Sequence, residues 1–249
     1  MKNQGATCYL NSLLQSLYFT NSFRRAVYKI PTEDEDTSNS ALALQRLFYL
    51  LQSSKDAVGT TELTKSFGWE TQDIFAQQDV QELNRVLMDN LETKMKGTEV
   101  ENLLTKLFVG KTKTYIKCVN VDYKSERIED FWDIQLNVRG FKNLDESFKD
   151  YVAVESMDGE NKYFAEGYGL QDAQKGVYFE SFPEVLHLHL KRFEYDLNTY
   201  AMQKVNDHYE FPEEFDVGPY LGPDADRTVS SEYVLHGYVG SPMDSRSES

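Results

Sequence analysis

Residues 3–12 read NQGATCYLNS and contain Cys8, one of the two cysteines of the chain. A small, turn-forming segment, Gly5 to Thr7, leads into Cys8. Leu10, Leu13, Leu14 and Leu17 then follow at i, i+3, i+4 and i+7, which predicts an amphipathic helix. The sequence therefore places Cys8 at or near the amino end of a helix whose leucines face a core.

A thiol at that position has two possible roles. The unpaired N–H groups and the positive end of the helix dipole favour the nucleophilic thiolate, and the same amides can hold an oxyanion during acyl transfer. The alternative is that Cys8 is only a small buried apolar side chain, which is the common fate of a free cysteine. The helix start alone does not separate these roles.

Outward from this stretch, the first third of the chain is predicted to be helical and the rest rich in strands. Leu44, Leu47, Phe48 and Leu51 predict a second helix, and Val80, Leu83, Leu87 and Leu91 predict a third that starts near Gln78. Residues 113–121 and 128–138 are rich in β-branched and aromatic residues, which predicts strands, and residues 233–235 predict a last strand. Asn143 with Glu146 three residues later predicts a capped helix that ends at Tyr151. Helices first and strands second predict an α+β fold.

Composition excludes several classes of function. The 249 residues suffice for one large or two small domains, and 41 acidic against 26 basic residues give a formal charge of −15. Because so acidic a surface repels phosphates, we expect no nucleic-acid partner and no membrane partner. No signal-peptide-like start and no long apolar run are present, and two cysteines, Cys8 and Cys118, cannot build a disulfide framework. An intracellular, reducing compartment is expected.

Four further segments, taken with residues 3–12, resemble the ubiquitin-specific proteases in composition and order. They are residues 77–83 (QQDVQEL), residues 183–193 (PEVLHLHLKRF), and the pairs Asn206-Asp207 and Phe211-Pro212. Residues 63–70 (LTKSFGWE) and 150–155 (DYVAVE) look most similar to the herpesvirus-associated type. The resemblance covers about residues 2–236.

The resemblance implies a papain-like hand of thumb, palm and fingers. A helical thumb would occupy about residues 1–105, and fingers with an incomplete palm would occupy about residues 106–249. The implied activity is a deubiquitinating thiol protease that hydrolyses the bond after the C-terminal glycine of ubiquitin. Ubiquitin and ubiquitinated proteins would be its partners, the chain would be a monomer in the nucleus or cytoplasm, and no cofactor is needed.

The same resemblance assigns roles to individual residues, each with a plainer alternative. Cys8 would be the nucleophile and Asn3 the donor to the oxyanion, although Asn3 can also be an ordinary turn residue. Gln77, Asp79 and Glu82 would bind the arginine-containing tail of ubiquitin, although acids at a helix start also pair with the dipole. Trp69 would gate the cleft or belong to the core.

Two family features are missing from the matching positions. The Cys-x-x-Cys pairs of the fingers are absent because Cys118 stands alone, so we expect no zinc. The Gly-His-Tyr box that carries the catalytic base is also absent: residues 233–237 (YVLHG) match, whereas residues 238–249 (YVGSPMDSRSES) do not. His187, His189 and His236 are not its equivalents. We therefore expect either an enzyme truncated in its palm, with little activity, or an inert ubiquitin-binding module.

Overall fold

The computed structural model of the chain describes residues 1–2, 8–32, 39–68, 80–197 and 199–240. These residues form two compact units. One is Met1–Leu107 together with the segment that starts at His236, and the other is Phe108–Leu235. Among the described helices, none combines the length and the apolar character that crossing a bilayer requires.

Helices build the described part of the first unit. In chain order they are α1 (Cys8–Phe19), α2 (Asn21–Lys29), α3 (Ser40–Ser53), α4 (Thr61–Ser66), α5 (Val80–Met95) and α6 (Leu103–Phe108), which ends at the unit boundary. The three predicted leucine stripes are confirmed as core: Leu10, Leu14, Leu44, Leu87 and Leu91 are among the fully buried side chains. Val80 and Leu51, at the margins of their stripes, are half-buried.

An antiparallel sheet of order β2-β1-β7-β4 is the largest element of the second unit. The strands of this unit are β1 (Gly110–Cys118), β2 (Lys124–Phe131), β3 (Ile134–Asn137), β4 (Glu155–Met157), β5 (Tyr163–Ala165), β6 (Gly169–Gln171), β7 (Ala173–Ser181), β8 (Leu188–Lys191), β9 (Phe193–Asp196), β10 (Ala201–Lys204), β11 (Glu214–Asp216) and β12 (Glu232–Val234). Strand β3 pairs with β8 in parallel, and β5–β6, β9–β10 and β11–β12 are antiparallel pairs. The last strand predicted from the sequence is thus confirmed as β12.

The predicted strand boundaries need two corrections. The first predicted strand covers residues 113–121, but β1 begins at Gly110, where it pairs with Phe131 of β2, and ends at Cys118, where it pairs with Ala173 of β7. Residues 128–138 do not form one continuous strand. The chain bends after Phe131, and Ile134 starts β3, which pairs with β8 because Ile134 and Leu136 alternate toward the core.

The capped helix predicted in the second unit is confirmed as α7 (Leu144–Tyr151). The Asn143 side chain accepts a hydrogen bond from the Glu146 N–H at 3.0 Å, as an N-cap should. Glu146 in turn accepts from the Lys142 N–H at 2.8 Å, one residue before the cap itself. The cap therefore fixes where the chain turns into α7, whose Leu144 and Phe148 enter the core of the unit.

Candidate active site

Helix α1 begins at Cys8, and the thiol is exposed. The buried leucines of α1 anchor the helix in the first unit, so that its amino end stays at the surface. Ser12 Oγ donates to the Cys8 carbonyl at 3.0 Å, within the first turn. Amide N–H groups at a helix start have no intrahelical acceptors, which makes this end able to hold an anion beside a sulfur nucleophile. This local chemistry suits acyl transfer.

Glu82 lies in the first turn of α5, and its side chain is exposed. The neighbouring Leu83 and Leu87 are buried, so the core-facing side of α5 is distinct from the side that carries Glu82. Helix α5 packs against α1 within the first unit. Two helices that begin with candidate functional residues are thus neighbours.

The other predicted site residues, Asn3, Trp69, Gln77 and Asp79, lie outside the described residues.

The three histidines of the second unit, His187, His189 and His208, differ in their exposure. His187 is half-buried and stacks on Phe108, with 5.1 Å between ring centroids. Burial lowers the pKa of His187, and the nearby Asp133 carboxylate opposes that shift. His189 is half-buried in β8, and His208 is exposed with Nδ1 3.9 Å from Glu210 Oε1.

His236 contacts the carboxyl half of α1. Its Nε2 lies 3.4 Å from both Thr20 Oγ1 and the Ser16 carbonyl oxygen. Since a helix rises about 1.5 Å per residue, Ser16 is about 12 Å along the helix axis from Cys8. The contact places the His236 imidazole far beyond hydrogen-bonding distance of the thiol.

Cys118 ends β1 and is buried with Ala165 and Ala173 in a small core, against which Met157 and Tyr163 pack. It behaves here as an apolar side chain. Among the described residues, no group of three His, Cys, Asp or Glu side chains is arranged to hold a metal ion.

The sequence predicts no role for Asn11, which lies within residues 3–12. In the structure it forms the hydrogen bond that joins α1 to the start of the chain. The available signal was its spacing, because a residue three positions after Cys8 lies on the same side of the helix. The residue that it contacts, Lys2, carried no pattern that could have revealed the bond.

Comparisons with known proteins agree with this description. The family model described as ubiquitin carboxyl-terminal hydrolase matches residues 1–244. Ubiquitin carboxyl-terminal hydrolase 15 of Saccharomyces cerevisiae is 62% identical over 248 residues, covering 96% of this chain and 20% of that protein. Its namesake from Schizosaccharomyces pombe is 61% identical over 240 residues, with 96% and 21% covered. Ubiquitin carboxyl-terminal hydrolase 7 of Drosophila melanogaster is 58% identical over 240 residues, again with 96% and 21% covered.

The chain thus spans about a fifth of the length of these relatives. Among solved structures, the SAGA Ubp8/Sgf11/Sus1/Sgf73 DUB module bound to ubiquitin aldehyde matches with a TM-score of 0.77 and 23% identity, over 89% of this chain and 53% of that one. The α+β fold class predicted from the sequence is confirmed, and the fold of the chain is that of the papain-like hand.

Proposed function

Because the chain belongs to the ubiquitin carboxyl-terminal hydrolase family, we propose that it is catalytic-domain sequence of a deubiquitinating cysteine protease of the herpesvirus-associated type. The reaction is hydrolysis of the bond after the C-terminal glycine of ubiquitin. The observation that carries the proposal is the exposed Cys8 thiol at the start of α1. In layout, residues 1–105 form the thumb and the following residues the fingers and palm, which the unit boundary after Leu107 supports.

In this reaction the Cys8 sulfur attacks the glycine carbonyl, and the negative charge that develops on the oxygen is stabilised by the Asn3 side-chain amide. Collapse of the tetrahedral intermediate breaks the C–N bond, and the leaving amine takes a proton from a general acid. A water then hydrolyses the thioester, releasing the ubiquitin carboxylate and the thiol. The first transfer needs a general acid and the attack of water needs a general base, and the family takes both roles from the histidine of a Gly-His-Tyr box.

Recognition of ubiquitin falls to the start of α5 and the residues before it. Asp79 and Glu82 bind the arginine-containing tail, because carboxylates form charge-assisted, often bidentate, hydrogen bonds with guanidinium groups. Gln77 lies beside the same tail. Trp69 gates the cleft. The exposure of Glu82 in the first turn of α5 supports this assignment. The working state is a monomer in the nucleus or cytoplasm that needs no cofactor.

A second candidate is an inert ubiquitin-binding module. One observation favours it: His236 contacts Ser16 and Thr20 instead of the start of α1. Both candidates share the binding surface and differ in turnover.

Cleavage of a ubiquitin–fluorophore conjugate separates the two. We expect little or no turnover by residues 1–249, and restored turnover when a family-type palm segment with the Gly-His-Tyr box is appended. Cys8→Ala in the extended chain should abolish that turnover, whereas Cys118→Ala should retain it. An extended, folded chain that binds ubiquitin without turnover would support the inert module, and robust turnover by the unextended chain would show that the base is misassigned.

Binding is tested separately by calorimetry with ubiquitin. The double variant Asp79→Ala, Glu82→Ala should lose about 1–3 kcal/mol for each charge-assisted contact removed. Glu92→Ala, which changes an exposed acid further along α5, is the control and should bind as the wild type does. Unchanged affinity of the double variant would assign Asp79 and Glu82 to helix stabilisation alone.

A further inference from the structure

Two hydrogen bonds hold the backbone of Lys2 in place within the first unit. Asn11 Nδ2, on α1, donates to the Lys2 carbonyl at 3.3 Å. On the other side, the Lys2 N–H donates to the Val58 carbonyl at 2.7 Å. Lys2 is therefore hydrogen-bonded both to α1, the helix that begins at Cys8, and to Val58 in the segment before α4.

The side-chain oxygen of Asn11, unlike its nitrogen, lacks a hydrogen-bond partner among the described residues. Its Oδ1 atom is buried and has no hydrogen-bond donor in the described part of the chain. A buried acceptor without a donor destabilises the folded state, and an apolar side chain of the same shape would avoid that cost. Such groups require an explanation beyond stability, and here the Nδ2 bond to Lys2 provides it.

We propose that Asn11 is a positioning residue for the reaction, which ties the backbone leading into Asn3 to the helix that starts at Cys8. The inference rests on the proposed function. The carbonyl that Asn11 holds belongs to the peptide group that Lys2 shares with Asn3, the proposed oxyanion donor. An oxyanion donor lowers the barrier only if it is held in place before charge develops, so loosening its backbone anchor weakens it. In this role Asn11 acts through the Lys2 backbone.

The test compares two reactions of the same thiol. Acyl transfer from a ubiquitin C-terminal thioester to Cys8 passes through a tetrahedral oxyanion: the thioester C–S bond breaks, a new one forms to Cys8, and a small thiol leaves. Alkylation by iodoacetamide displaces iodide from carbon and forms no oxyanion. All chains carry Cys118→Ala, which leaves Cys8 as the one thiol of the sequence. Intact-mass spectrometry gives both rates.

The variant is Asn11→Leu, which keeps the size and adds no charge but removes the donor. Asn90→Leu is the matched control, because Asn90 also donates its Nδ2 to a backbone carbonyl, that of Val86 at 2.8 Å, at an exposed place on α5. We expect Asn11→Leu to slow acylation at least about tenfold, a part of what loss of an oxyanion donor costs. Alkylation should change less than twofold, and Asn90→Leu should change neither rate.

Hydrogen exchange gives a readout that does not depend on turnover. The Lys2 amide, which donates to the Val58 carbonyl, should exchange faster in Asn11→Leu than in the Asn90→Leu control. Equal slowing of acylation and alkylation, or no change in either, would overturn the positioning role. A Cys118→Ala parent that is alkylated but never acylated would contradict the proposed function, and the inference would fall with it.

Discussion

The two units of the chain differ in how their cores are built. The core of the helical unit is mainly aliphatic, with leucine stripes from α1, α3 and α5. The core of the strand-rich unit is aromatic and is centred on Phe179, whose ring lies 4.4–6.1 Å from four other rings: Phe131, Phe148, Tyr151 and Phe182. Each leucine stripe of the aliphatic core follows from local spacing within its own helix. The aromatic core instead joins residues that are distant in sequence. The candidate nucleophile, Cys8, lies in the helical unit.

The largest effect is expected at the centre of the aromatic core. Phe179→Ala removes a fully buried ring and should lower the free energy of unfolding by about 3–5 kcal/mol, because the space cannot collapse between four fixed rings. Phe164→Ala, which truncates a side chain that is 68% exposed, is the control and should cost far less. Chemical denaturation of both variants checks this. Equal losses would mean that the core does not depend on the Phe179 ring.

This contrast also explains what the sequence predicted well. Helices α1, α3, α5 and α7 were identified because their signals, leucine spacing or an Asn–Glu cap, lie within a few residues. Helix α2 was missed, although Phe23, Ala26 and Val27 are buried at the helical spacing i, i+3, i+4, because nine residues give little periodicity to recognise.

Strand boundaries were predicted less well, because pairing sets them. Strand β3 pairs with β8, which is more than fifty residues later, and no local pattern shows where that register starts. The same limit applied to the site: the start of α1 at Cys8 was predicted, but the bond from Asn11 to Lys2 was not. Motif resemblance predicts roles for individual residues, and local spacing predicts only which of them share a helix face.

An intermediate effect is expected at the helix caps, one in each unit. The Asn39 side chain accepts from the Ala41 and Leu42 N–H groups at the start of α3, and Asn143 caps α7 through Glu146. Alanine at either position should cost about 1 kcal/mol. The loss should be larger for Asn39, whose side chain is buried and satisfies two donors.

The measurement is again chemical denaturation, and Asn120→Ala, at an exposed position, is the control. A cost at Asn143 clearly above that at Asn39 would show that burial of the cap does not decide its contribution.

The smallest effect concerns pH and His187. Burial lowers the pKa of His187 in the folded state, so folding favours its neutral form. The stability that this provides is complete above the pKa of an unfolded histidine, about 6.5, and declines as pH falls below it. His187→Phe, which keeps a ring against Phe108, should reduce this loss between pH 7 and pH 5. Chemical denaturation at pH 7 and pH 5 measures the loss, and the same pH dependence in His187→Phe as in the wild type would contradict the assignment.

The most direct test of the central claim, that Cys8 is the nucleophile of a ubiquitin hydrolase, is covalent capture. Ubiquitin with a C-terminal electrophile should form a one-to-one adduct with the chain, since a thiolate at a helix start can react without its histidine. Mass spectrometry should locate the bond on Cys8. The adduct should disappear in Cys8→Ala and persist in Cys118→Ala, because Cys118 is buried. No adduct from a folded chain, or an adduct on Cys118, would contradict the claim.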